Sequence, residues 1–141
     1  MTAVPKRMEM ADLRKRLETF TSWPKEHHLK KEIAAEAGFY YSGDADSVRC
    51  FFCGGGLRNW HPSDDAWLEH AHWFPQCGFV QQTLGQDIVQ VALLLRKDHQ
   101  QITMEMVKEK LLQVLRQRHT LQPISEVELE ASQTPGPRPK L

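Results

Sequence analysis

Cysteine occurs three times in this 141-residue chain, and all three fall into one pattern with a histidine. Cys50, Cys53, His70 and Cys77 read C-x2-C-x16-H-x6-C. Three thiolates and one imidazole make a complete tetrahedral set for Zn²⁺, with no position left for water, so the ion is structural rather than catalytic. The first pair brackets Phe51-Phe52 and runs into Gly54-Gly55-Gly56, where glycines let the backbone curl and turn its N–H groups toward sulfur. An odd cysteine count argues against a disulfide framework. His72 stands two residues from His70 and should face another side of a helix. His27, His28 and His61 have no cysteine partner. A zinc hydrolase needs an open metal position, which this closed set denies it.

Charge balances at 18 basic and 18 acidic residues, so a nucleic-acid partner is not suggested. The balance hides a split. Residues 1–31 hold Lys6, Arg7, Arg14, Lys15, Arg16, Lys25, Lys30 and Lys31 against four acids, whereas residues 40–90 hold Asp44, Asp46, Asp64, Asp65, Glu69 and Asp87 against Arg49 and Arg58. An acidic middle favours a cationic ligand there, although a solvated charged surface explains the same asymmetry. No apolar run approaches the roughly 18 residues of a membrane span, and the start has no apolar signal core. Unpaired cysteines fit a reducing interior. The expected location is cytoplasmic, with the nucleus as the other such compartment.

Periodicity predicts a helix over residues 11–20, with Leu13, Leu17 and Phe20 on one face, and a second over 30–37 closed by Gly38 in the left-handed region. Phe39–Tyr41, Ser47–Phe52 and Leu57–Trp60 read as three strands. Pro62-Ser63 opens a helix with Asp64 and Asp65 in its first turn, carrying Trp67 and His70. Cys77 begins another helix. Residues 86–98 are helical and apolar. Residues 103–118 form an amphipathic helix capped by Thr103, with Met104, Val107, Leu111, Val114 and Leu115 on one stripe. Such stripes usually face their own core; the alternative is homo-oligomerisation through residues 86–118. The proline-rich residues 120–141 are expected to be a disordered tail. The division is therefore an N-terminal segment 1–11, a zinc domain 12–84, a helical extension 85–119 and the tail. A zinc domain this short buries little apolar surface, so the metal would supply on the order of 10 kcal/mol of folding free energy.

RLETFTSWP, AEAGFYYSG, VRCFFCGGGLRNW and DDAWLEHAHWFPQC, with the ligand spacing, resemble the baculoviral IAP repeat, the BIR domain of inhibitor-of-apoptosis proteins. The resemblance covers about residues 12–84. It implies an α+β fold, a three-stranded antiparallel sheet with short helices around one zinc. It also implies a groove for peptides with a free N-terminal alanine, as carried by Smac-like antagonists and processed caspases. The family's groove positions correspond here to Gly56, Leu57, Arg58, Trp60, Asp64, Glu69 and Trp73. Their chemistry suits that ligand. Strand 56–60 offers an edge for backbone pairing, and Asp64 and Glu69 offer carboxylates to an ammonium. Trp60 would wall a methyl-sized pocket and Trp73 would meet a proline, both being expected at the surface. Arg58 would tune the third or fourth ligand residue. Trp23 and Trp67 are the tryptophans expected in the core, and Arg16 is either a buried structural arginine or a solvated helix charge. Ala66 departs from a proline usual at this helix start.

The function implied is an apoptosis-regulating peptide-binding module, not an enzyme, that inhibits cell death. The alternative is a mitotic scaffold of the survivin type, reading a histone tail and binding partner helices; relatives of that type lack the Gly54–Leu57 edge present here. A RING ubiquitin-ligase domain takes about eight Cys/His ligands, and these residues have no cysteine left for one. Ala3-Val4-Pro5 itself looks like the start of an antagonist peptide. Lys6 breaks the match, which we read as coincidence.

Overall fold

A computed structural model describes residues 4–121, with side chains as far as Arg118. The expected tail lies outside the described residues but for its first two positions, as does Ala3 of the antagonist-like triplet. The chain forms two compact units that divide between Val107 and Lys108.

In the first unit, Asp12 caps helix α1 (Leu13–Glu18), its side chain accepting the Arg14 N–H at 2.9 Å. A 3-10 turn, Thr19–Ser22, continues it into Trp23, which is 6% exposed and donates its indole N–H to the Leu29 carbonyl. Helix α2 (Lys31–Glu36) ends at Gly38, whose φ of +101° is open to glycine but strained for other residues. A Cβ at Gly38 would also stand 2.9 Å from the Phe79 ring. Strand β1 (Phe39–Tyr41) follows, buried along its whole length. Strand β2 (Val48–Cys50) alternates in and out, with Arg49 exposed between buried neighbours.

Strand β3 is shorter than expected. It comprises Gly56–Leu57 and not 57–60. Asn59 turns into the left-handed region at φ +59°, which ends the extended run. The sheet order is β1-β2-β3, antiparallel throughout, with Val48 opposite Leu57. β3 is therefore an edge strand.

Helix α3 (Ala66–Trp73) starts later than Pro62-Ser63 suggested, because Asp65 is its cap: the carboxylate accepts the Leu68 N–H at 3.0 Å. Helices α4 (Gly78–Leu84) and α5 (Gln86–Arg96) follow, and α5 packs on both α3 and α4. Helix α6 (Met104–Leu121) is capped by Thr103 as expected, the hydroxyl accepting the Met106 N–H. Its stripe divides. Val107, within the first unit, is fully buried. In the second unit, Leu111 and Val114 are half-buried and Leu115 is exposed.

The core joins Phe20, Trp23, Phe39, Val48, Val80 and Val89. Arg16 proves to be a core residue at 4% exposure. Its guanidinium donates to the carbonyls of Ala35, Met10 and Ala11 and lies over the Phe51 ring. It straps α1 to α2 through carbonyl oxygens, and it makes no ion pair among the described residues.

Candidate functional site

The four predicted zinc ligands converge. The ligand atoms of Cys50, Cys53, His70 and Cys77 all lie within 4.8 Å of one another. Cys50 Sγ is 3.9 Å from Cys77 Sγ, and Cys53 Sγ is 3.8 Å from His70 Nε2. Those separations exceed a disulfide bond by far and suit a tetrahedron with zinc–sulfur bonds of about 2.3 Å. The glycine knuckle turns its N–H groups onto the sulfurs: Phe52 and Cys53 donate to Cys50 Sγ, and Gly55 donates to Cys53 Sγ. Gly55 also tolerates no side chain, since a Cβ would stand 2.5 Å from the Phe74 ring. His70 Nδ1 donates to the Ala37 carbonyl at 2.8 Å, which fixes the tautomer and aims Nε2 at the metal. His72 is not part of the group.

Without the cation these groups compete for protons. Hydrogen bonding to Cys53 and Cys77, with burial, pushes the Cys50 thiol up, while the hydrogen bonds from Cys50 and Cys53 pull Cys77 down. Burial pulls the His70 imidazole down, but its hydrogen bonds to Cys53 and Cys77 prevail and raise it to about 9. A divalent cation relieves that competition. The four residues form a single structural zinc site with every ligand supplied by the protein.

The seven expected groove residues fall on β3, on α3 and on the chain between them. Gly56 and Arg58 are exposed, Leu57 is half-buried, and no strand pairs with the outer edge of β3 among the described residues. Asp64 accepts the His61 N–H at 2.7 Å. Trp73 is 59% exposed and donates its indole N–H to Glu69 Oε1. Trp73 also borders an apolar cavity of about 640 Å³ with Val4, Phe52 and Phe74. Trp60 differs from expectation. It is 6% exposed, not a surface residue, because its ring packs edge-on against Phe39 in the core. Trp23 is buried as expected, while Trp67 is half-buried, stacked on His70 and Phe79.

Residues 16–81 match the family model described as the Inhibitor of Apoptosis domain, BIR. Residues 16–81 are a BIR domain. Baculoviral IAP repeat-containing protein 7 of Mus musculus is 47% identical over 83 residues, which are 59% of this chain and 28% of that protein. E3 ubiquitin-protein ligase XIAP of Xenopus tropicalis is 49% identical over 88 residues, 62% of this chain and 17% of that protein. The chain thus spans less than a third of either curated relative. Among solved structures, the BIR1 domain of DIAP1 bound to a Grim peptide is 38% identical with a TM-score of 0.47, covering 50% of this chain and 75% of that one.

Two ties to the expected groove residues escaped sequence reading. Asp46, four residues before the first ligand, reaches across to the end of β3. Its Oδ1 accepts the Asn59 N–H at 2.8 Å, and its Oδ2 accepts the Trp60 N–H at 2.9 Å and faces His27 Nε2 at 3.1 Å. Burial would push this carboxyl up, but the Asn59 and Trp60 N–H groups, with His27, outweigh it and hold the pKa below its ordinary value. His28 Nε2 then hydrogen-bonds the Trp60 carbonyl at 2.7 Å. The second tie is Arg96, whose guanidinium pairs with Glu69. An acid beside a Gly-Asp-Ala-Asp turn reads as turn chemistry, and a basic residue ending a helix reads as a cap. Neither carries a local mark of its distant partner.

Proposed function

We propose that this BIR domain captures peptides with a free N-terminal alanine, of the kind carried by Smac-like antagonists and processed caspases, and so restrains cell death from the cytosol. The observations that carry the reading are an outer edge of β3 (Gly56–Leu57) that is unpaired among the described residues, and α3 (Ala66–Trp73), preceded by Asp64 and ending in the exposed Trp73. An extended peptide gains backbone hydrogen bonds on such an edge. A carboxylate meets its terminal ammonium through a charge-assisted bond. The zinc centre holds both elements, since Cys50 and Cys53 flank the turn into β3 and His70 lies on α3 beside Glu69.

The test is titration of zinc-loaded protein with Ala-Val-Pro-Ile, followed by tryptophan fluorescence, against the same peptide acetylated at its amine. The free peptide should bind and the acetylated one should not. Asp64→Asn should weaken the free peptide by roughly 2–5 kcal/mol. Equal binding of both peptides would end the amine-capture reading.

A further inference from the structure

Glu69 is one of the two acids expected to meet a ligand's ammonium, yet it already holds a cation. Arg96, the last residue of α5, places Nη2 2.5 Å from Glu69 Oε2. The two side chains are only 12% and 13% exposed, so the pair is shielded from the water and salt that weaken surface ion pairs. Trp73 occupies the other oxygen, donating to Oε1 at 3.3 Å. Asp64 is in a different state. It accepts from a neutral donor, the His61 N–H on Oδ2, and no cation pairs with it among the described residues.

The position of Arg96 is built. α5 anchors it by burying Val89, Val91 and Ala92 and by packing on α3. The guanidinium also donates through Nη1 to the Gln100 carbonyl at 2.9 Å, and Gln101 accepts the Ser63 hydroxyl at 3.0 Å. Residues 96–101 are thus tied both to α3 and to the loop that precedes it. The contact is incompletely satisfied, however. Arg96 Nε and His72 Nδ1 are buried without a hydrogen-bond partner, and so is Trp60 Nε1 on the groove's own tryptophan. Unmet buried polar groups cost free energy, so the closed pair is held against a counterweight.

We propose that Arg96 is a specificity-determining residue of the groove: it keeps Glu69 closed as an ion pair, so that Asp64 alone receives the ligand's free amine. The inference rests on the amine-capture reading above. An ammonium that approached Glu69 would have to displace a planar, already desolvated guanidinium, and would leave that cation unpaired. One that approached Asp64 displaces no charge. The two acids are therefore unequal, and the inequality is set by a residue outside the groove.

The experiment measures binding of Ala-Val-Pro-Ile and its acetylated form to the full zinc-loaded chain in four versions: unaltered, Arg96→Met, Asp64→Asn, and the double variant. Arg96→Met should bind the free-amine peptide about tenfold tighter than the unaltered chain, because a second carboxylate becomes available. Its binding of the acetylated peptide should not change. Asp64→Asn should lose the preference for the free amine, and the double variant should regain it through Glu69. Arg96→Lys should behave as the unaltered chain. Arg96→Gln, which keeps a donor but no charge, gives the same reading as methionine should the latter fail to fold. If the unaltered chain prefers the free amine but removal of the Arg96 charge changes nothing, the role of Arg96 is refuted and amine capture stands. If no version prefers the free amine, both fall.

Discussion

Replacing Asp46 with asparagine alters one oxygen to an NH₂ group and keeps the shape, yet it should disturb the groove and the fold together. The carboxylate takes three contacts: the Asn59 N–H, the Trp60 N–H and His27 Nε2. The His27 ring cannot change roles to suit an amide. Its Nδ1 accepts the Leu29 N–H at 2.9 Å, so Nδ1 carries no proton and Nε2 must be the donor. All three contacts on Asp46 are therefore donors. A carboxylate can receive them all, whereas an asparagine accepts only at its single oxygen and turns its NH₂ against the rest. Hydrogen bonds to a charged group are worth about 1.5–3 kcal/mol each. With the side chain 16% exposed, water can replace part of what is lost. The expected cost of Asp46→Asn is about 2–4 kcal/mol, seen in denaturant unfolding at saturating zinc and pH 7. The amide resonances of Asn59 and Trp60 should shift, and zinc stoichiometry should stay unchanged. The sign with pH follows from the lowered Asp46 pKa. The gap between the two proteins should be full above about pH 4 and close as pH falls through the lower folded value. A variant within about 0.5 kcal/mol of the unaltered chain, with both amides unmoved, would refute the strap.

Zinc affinity should rise with pH through about 9 and beyond, because zinc must displace the proton of the metal-free His70, which titrates near 9, and that of Cys50, whose thiol is pushed up. Calorimetry at pH 7 in buffers of different ionisation enthalpy should detect that release; an affinity flat with pH would count against it. In the metal-free fold the same raised pKa acts with the opposite sign, stabilising below about 6.5 and fading as pH passes 9. Arg16→Met keeps the volume but strands the carbonyls of Ala35, Met10 and Ala11, and should cost about 2–4 kcal/mol in the same unfolding assay. Equal stability would mean that the guanidinium's own desolvation cancels its hydrogen bonds.

The zinc centre was legible because its chemistry is local: residue type, spacing and adjacent glycines each point to the same ion. β1 was legible for a related reason, as three consecutive aromatic residues after a helix-ending glycine leave few alternatives to a buried strand. β3 was read too long because Arg58-Asn59-Trp60 looks extended until Asp46, 13 residues earlier, draws Asn59 into a turn. The start of α3 was misplaced by a milder conflict, since Ser63, Asp64 and Asp65 are all plausible caps and only the structure shows Asp65 bonded to Leu68. The pairing of Arg96 with Glu69 spans 27 residues and joins two helices, so no window along the chain contains it. Burial of Trp60 likewise depends on where Phe39 stands.

That burial has a consequence for how such a domain could diversify. Trp60 fills space against Phe39, so a smaller side chain there would hollow out the interior before it enlarged any recess for a ligand. Its main chain is tied on both sides, by Asp46 and by His28. Freedom to vary is left to Arg58 and Trp73, which lie open to solvent and bear none of that weight. Under the proposed function, descendants of this chain would reach new ligand sequences by changing Arg58 and Trp73, while Trp60 stayed as foldability made it.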